Sequence, residues 1–140
     1  MIKLKPYSAS ILALGGFLLV SMGIYFVFVR PSLLPEDLLY MKTTLSVIQY
    51  STPNLSAWLQ KIFWVMGSYI FTTGILTIFI ALTSFRTRTR GAYNIIVISG
   101  FCSIGFMTFL NFIIESDFKW TLFIFTLPWL IGLILYRLHR

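Results

Sequence analysis

The sequence predicts an all-α fold: an integral membrane four-helix bundle, N-in/C-in, with a short amphipathic helix in the outer loop between the first two spans. Three observations lead there. The first is composition. Of 140 residues 58% are apolar and only 11% charged, and the mean hydropathy is +0.88. A soluble domain is usually about 25% charged. A globule this small cannot bury so much apolar surface, so lipid must cover it. The second is the placing of the charges. Lys, Arg, Asp and Glu are absent from Pro6 to Val29, Ile62 to Phe85, Gly91 to Ile114 and Trp120 to Tyr136. A crossing of hydrocarbon takes about 20 apolar residues in a helix. The third is the charge difference between the two ends of those runs.

The expected spans are about 7–29, 55–85, 92–114 and 118–136, all in one domain. Lys3 and Lys5 before the first span imitate the basic leader of a signal peptide. The apolar run is too long for one, and no small-x-small cleavage site follows. Between the first and second spans lies the one sizeable loop, Arg30 to Lys61. Pro35 suits the first turn of a helix, with Glu36 and Asp37 at its positive end. Leu34, Leu38, Met41, Leu45 and Ile48 then recur as one apolar stripe. An amphipathic helix over about 35–49 is expected, lying on the membrane surface or capping the bundle. Thr52 and Pro53 are expected to cap and open the next helix. That helix carries Leu55, Trp58, Leu59 and Ile62 on one face and continues into the second span. The link between the third and fourth spans is a tight turn, so these two should pack as antiparallel neighbours.

The basic residues orient the chain. Lys3, Lys5, Arg86, Arg88, Arg90, Arg137 and Arg140 fall on one side with no acidic residue. Arg30, Lys42, Lys61 and Lys119 fall on the other, balanced by Glu36, Asp37, Glu115 and Asp117. The positive-inside rule assigns the first side to the cytoplasm. The net charge of +7 is the excess on that side. Arg86, Arg88 and Arg90 are expected to contact anionic lipid headgroups, and their loop is too short for a nucleic-acid surface. Trp58, Trp64 and Trp120 near one boundary, and Tyr7, Tyr93 and Tyr136 near the other, make the aromatic belts of a spanning protein.

Helices in lipid meet through small residues and a few hydrogen bonds. The first span sets Ala9, Ala13, Gly16 and Gly23 on one stripe. The second has Gly67 and Gly74, the third Ser99, Gly100 and Ser103, the fourth Pro128 and Gly132. Pro128 frees a carbonyl one turn earlier and is expected to bend its helix. These stripes read first as packing within the chain and second as a face for another membrane protein.

Much chemistry is missing. The single histidine, His139, rules out a bis-histidine haem within one chain. Cys102 stands alone, and a thiol–disulfide enzyme needs a pair. No metal-ligand cluster, phosphate loop or nucleophile elbow occurs. None of the runs holds an ionisable Asp, Glu, Lys or Arg, which ion-coupled transporters place at membrane depth. The stretch "NFIIESDFKW", which joins the third and fourth spans, and its surroundings hold the remaining polar groups. Asn111 and Glu115 share a helix face, Ser116 or Asp117 can cap the last helix, and Arg30 and Lys61 lie on the same side. Either these charges mark the bilayer boundary, the ordinary case, and pair at little net gain, or Asn111, Glu115, Arg30 and Lys61 line a polar pocket for a lipid headgroup, quinone or small solute.

The stretches "VRPSLLPEDLLYM", "WLQKIFWVMGSYIFTTGILTIFIA" and "NFIIESDFKW" resemble a family of short bacterial four-span inner-membrane proteins of no assigned function. The resemblance implies a bacterial cytoplasmic membrane and transfers no catalytic residue. The layout is similar to claudin-like four-span proteins, but the paired cysteines of their loop are absent. The expected function is therefore non-enzymatic: an accessory or assembly subunit of a membrane complex, or alternatively a small-molecule, quinone or lipid binder using the outer pocket. No cofactor is expected. The expected partners are the bilayer and either another membrane protein or further copies of the chain.

Overall fold

The computed structural model describes residues 5–138, with side chains from Tyr7 onward. Lys3, His139, Arg140 and the side chain of Lys5 lie outside the described residues. All regular structure among those residues is helical, and four helices are long and apolar enough to cross a membrane. Helix α1 covers Lys5–Phe28. Two short helices follow, α2 (Pro35–Tyr40) and α3 (Leu45–Ser51). Helix α4 is α-helical over Leu55–Ile80 and continues as a π-helical turn over Ala81–Phe85. Helix α5 is α-helical over Ala92–Gly100, π-helical over Phe101–Gly105 and α-helical again over Phe106–Ile113. Helix α6 covers Lys119–Leu138.

The centre of the arrangement is α1. In its most apolar window 39% is buried, against 22% in each of the other three spans. It packs on α4 along one side and on α6 along the other, and α5 packs on α6. The order is thus α4, α1, α6, α5.

Glycines make the α1–α4 seam. A Cβ on Gly23 would lie 2.6 Å from the Phe71 nitrogen and 2.7 Å from the Gly67 carbonyl oxygen. One on Gly74 would lie 2.6 Å from the Val20 nitrogen and 2.7 Å from the Gly16 oxygen. Real Cβ atoms do not come so close, so only glycine allows this backbone approach. Gly16 faces Gly74 and Gly23 faces Gly67. The same antiparallel register sets buried Ala9 opposite buried Ala81. At the other end it sets Arg30 opposite Gln60, whose Nε2 donates to the Arg30 carbonyl at 3.2 Å. Small residues thus repeat every seven on both helices, the pattern of a left-handed supercoiled pair.

A different device joins α6 to its neighbours. Trp129, 3% exposed, lays its indole between Gly15 of α1 and Gly100 of α5. A Cβ on Gly100 would be 2.4 Å from Trp129 Cε3, and one on Gly15 would be 2.9 Å from Cδ1. The fit leaves the indole Nε1 buried without a partner, as is Thr108 Oγ1. Helix α5 buries Ala92, Ile96, Gly100, Ile104 and Thr108, one residue in every four. A regular α-helix drifts about 40° over each such step. The π-turn at Phe101–Gly105 resets that drift and keeps the stripe on α6. Ser99 and Ser103 do not bridge helices: each hydroxyl donates to a carbonyl of its own helix, Ile96 and Ser99 respectively. Pro128 sits within an unbroken α6.

Two expectations about the long loop are corrected. The single amphipathic helix over 35–49 is two helices, broken at Met41–Thr44. Thr43 N–H donates to the Leu38 carbonyl and Lys42 N–H to the Leu39 carbonyl, with Lys42 at φ 53°. This is the Schellman termination, with Lys42 in the left-handed position that usually belongs to glycine. Because Lys stands there, the sequence carries no stop signal. The stripe consequently divides: Ile48 is buried, whereas Met41 and Leu45 are 45% and 43% exposed. Thr52 does not cap α4 either. Its hydroxyl donates back to the Ile48 carbonyl at 3.0 Å, closing α3, and Asn54 precedes the first turn of α4.

The same termination recurs twice. At the end of α4, Arg88 (φ 58°) donates to the Phe85 carbonyl and Thr89 to that of Ser84. At the end of α5, Glu115 (φ 53°) donates to Phe112 and Ser116 to Asn111. Every non-glycine residue with positive φ among the described residues is accounted for in this way.

Candidate functional site

At the end of the bundle that carries both signs of charge, α1, α4, α5 and α6 enclose a cleft of about 580 Å³. Its origin is a divergence. Helices α4 and α5 approach each other chiefly at the opposite end, where the α4 π-turn meets α5 next to their short connecting loop. Away from that loop α5 follows α6 and α4 follows α1, and space opens between them.

The walls are apolar. Met22 and Phe26 come from α1, Phe63 and Met66 from α4, Met107 and Leu110 from α5, Leu122 and Phe125 from α6. Methionine is unbranched and polarisable, and adapts its shape to an occupant. Ser21, Tyr25 and Thr121 add hydroxyls to the lining. At the mouth stand Arg30, Glu36, Asp37 and Asn111.

Arg30 follows the last turn of α1. Its N–H closes on the Tyr25 carbonyl at 2.8 Å, and Pro31 prevents the helix from continuing. The guanidinium folds back across the mouth. Its Cζ lies 3.6 Å from the Phe63 ring centroid and 5.5 Å from that of Phe26. One Nη donates to the Pro31 carbonyl at 3.0 Å and the other to Asp37 Oδ2 at 3.3 Å. The pair is sheltered, with the two side chains 10% and 23% exposed. Asp37 Oδ2 also accepts the Leu34 N–H at 2.8 Å, tying off the start of α2.

Glu36, one residue earlier, holds the other wall. Its carboxylate accepts the Ser116 hydroxyl at 3.0 and 3.1 Å and the Asp117 N–H at 2.8 Å. Ser116, 1% exposed, in turn accepts the Phe118 N–H at 3.1 Å. Of the two residues expected to cap the last helix, Ser116 is the one that does so. Helix α2 is thus a lid, fastened by Asp37 to the end of α1 and by Glu36 to the α5–α6 turn.

Two of the four residues predicted to share a pocket meet there. Arg30 and Asn111 line the cleft. Asn111 donates one amide N–H to the Met107 carbonyl at 2.9 Å, and its remaining hydrogen-bonding positions can serve a ligand. Glu115 and Lys61 are exposed and do not line it. Glu115 shares a helical spacing with Asn111, but the left-handed turn at its own α-carbon removes it from that face. Lys61 lies one residue past Gln60, which takes the seam position. Sequence reasoning missed Glu36 and Asp37 as mouth residues. Their placing after Pro35 suits the positive end of the helix dipole, and only their contacts across the fold show the second use.

At the opposite end, Arg86, Arg88 and Arg90 separate. Arg88 and Arg90 border a second cleft together with Arg137, while Arg86 is exposed and stands apart. Cys102 is exposed on α5. Among the described residues no three His, Cys, Asp or Glu side chains gather into a possible metal site. No protein family, no curated protein and no solved structure matches the chain.

Proposed function

We propose that this four-span protein is a non-enzymatic binder of an amphiphile, of the lipid or quinone kind, held in the cleft under the α2 lid. The observation that carries the reading is the shape of the polarity. A volume of about 580 Å³ falls within the usual range for a ligand pocket, ~300–1,000 Å³. Its charged groups, Arg30, Glu36 and Asp37, are gathered at one end, as a molecule with an apolar body and a polar head requires. Asn111 offers its amide to that head, and the guanidinium of Arg30 sets the charge at the mouth. In orientation we propose both termini in the cytoplasm, on the strength of the acid-free basic end. The cleft then faces the outer leaflet of the membrane.

Extraction of the protein in mild detergent and mass spectrometry of the copurifying lipids and quinones tests this. The wild type is expected to carry one amphiphile class in near-stoichiometric amount. Asn111→Leu and Thr121→Trp, which remove the amide and fill the cleft, should lower its retention about tenfold, the equivalent of ~1.4 kcal/mol. Glu115→Ala should leave it unchanged. Equal retention in Thr121→Trp and wild type would dismiss the reading.

A second reading, the accessory subunit of a membrane complex, draws on α2 and α3. Leu39, Tyr40 and Tyr50 are 78%, 63% and 93% exposed on helices that lie outside the long apolar spans. Native mass spectrometry in several detergents checks it. A chain that is monomeric and without protein partners in all of them counts against an accessory role.

A further inference from the structure

The basic end of the bundle holds a second cleft, independent of the amphiphile site and built by different residues. Its volume is about 740 Å³, and it lies between the α4–α5 loop and the end of α6. Arg88, Arg90 and Arg137 border it, beside Tyr93, Asn94 and Tyr136. Four of these side chains form a column. The Arg88 Cζ lies 4.5 Å from the Tyr136 ring centroid. Tyr136 stacks on Tyr93 at 5.4 Å and 29°. The Arg137 Cζ lies 5.3 Å from the Tyr93 ring centroid. Phe85, buried beneath, supports Tyr136 at 4.4 Å.

Such a column fixes two long cations without using up their donors. A guanidinium resting on a ring face keeps its N–H edge open for a planar or tetrahedral oxyanion. Arg88 is held further, with one Nη donating to the Tyr136 carbonyl at 3.1 Å and its backbone in the left-handed turn that ends α4. No Asp or Glu side chain is near. The four in the chain, Glu36, Asp37, Glu115 and Asp117, all lie in α2 or the α5–α6 turn at the opposite end. The one ion pair among the described residues, Arg30–Asp37, is there too. Three arginines around one cleft, two of them pre-oriented and none neutralised by a carboxylate side chain, make a site for an anion that accepts several hydrogen bonds at once.

We propose that this cleft binds a phosphate group through Arg88, Arg90 and Arg137. The group is either the phosphodiester of an anionic lipid headgroup or a free phosphate. The surroundings favour the lipid, since Ile95 and Leu138 stand 55% and 72% exposed on the two helices that flank the cleft. The inference narrows the general attraction of a basic loop for anionic lipid to a built site, from which Arg86 is excluded despite belonging to the same loop.

Arg86 therefore provides the control. The full chain in nonionic detergent is titrated with phosphatidylglycerol and with phosphatidylcholine, and bound lipid is read by native mass spectrometry. Wild type and Arg86→Gln are expected to prefer the anionic lipid about tenfold, equivalent to a single charge-assisted contact or more. Arg137→Gln and Arg90→Gln should lose that preference. Arg90 is exposed and its replacement spares the Arg88–Tyr136 column, so a folded variant is available. Inorganic phosphate is then added to the lipid complex and, separately, to lipid-free protein. Failure to displace the lipid assigns the site to a headgroup. Displacement, or binding of phosphate where lipid shows no preference, assigns it to free phosphate, and either result supports the proposal. Loss of lipid preference in Arg86→Gln equal to that in Arg90→Gln would show diffuse charge and overturn it. So would a wild type that distinguishes neither lipid nor phosphate.

Discussion

The two faces of α1 make opposite use of the same apolar alphabet. Toward α4 it presents Gly16 and Gly23, and the backbones meet with no room for a Cβ. Toward α5, past Met22 and Phe26, it borders about 580 Å³ of open volume. Large side chains do not by themselves fill a space between helices. They hold the helices apart, and whether a void results depends on the length and direction of the connections. Here α4 and α5 are tied at the basic end by a loop of a few residues and are free to diverge at the other. The seam is held by backbone packing, and the lid over the cleft by a few side-chain hydrogen bonds.

The strongest way to break this contrast is to add bulk to the seam. Gly23→Val or Gly74→Val drives a side chain into the partner backbone, and overpacking of this kind costs about 3 kcal/mol at its upper range. Thermal unfolding in detergent should show a large loss for either variant. An unchanged midpoint would mean that the helices are not in this register. Opening the lid has the next effect. Glu36→Ala leaves the Ser116 hydroxyl and the Asp117 N–H without their charged acceptor, a loss of about 1.5–3 kcal/mol when such a hydrogen bond is removed. Hydrogen exchange should accelerate over α2 and the α5–α6 turn together, while α1 and α4 stay protected. Acceleration of α2 alone would show that the two are not fastened. Arg30→Lys is milder. It keeps the charge but not the flat fork that stacks on Phe63 and reaches Asp37, and about 1 kcal/mol of stability should go with it. The smallest effect has the reverse sign. Glu115→Gly relieves a left-handed residue, which costs roughly 1 kcal/mol with a side chain, so the midpoint should rise slightly with retained cleft binding. A fall would give Glu115 a contact that the structure does not show. Glycine is thus predicted to be indispensable at position 23 and an improvement at position 115.

The sequence made some of this legible and hid the rest for definite reasons. The long helices announce themselves because hydrocarbon excludes charge, and a run without Lys, Arg, Asp or Glu is visible in one dimension. The small-residue stripes were visible too, as Gly16 and Gly23 and as Gly67 and Gly74. The three Schellman terminations were not, because Lys42, Arg88 and Glu115 occupy the position where glycine would have marked them. Missing the first merged α2 and α3 into one helix. Missing the last placed Glu115 beside Asn111 in a pocket it does not enter. Ser99 and Ser103 looked like interhelical contacts, but a hydroxyl in a helix finds its own backbone carbonyl first.

Composition and charge order alone therefore determined that the chain needs lipid around it, how many long helices it forms, and that one end is purely basic while the other balances its charges. These are sums over neighbouring residues, and neighbours in sequence decide them. Tertiary structure alone decided that Gly23 opposes Gly67, that Glu36 reaches across eighty residues to Ser116, and that Arg88 and Arg137 each rest on one ring of the Tyr136–Tyr93 pair. Each of these depends on register between distant helices. Register is set by the simultaneous fit of many side chains and loops, which no single stretch of sequence contains.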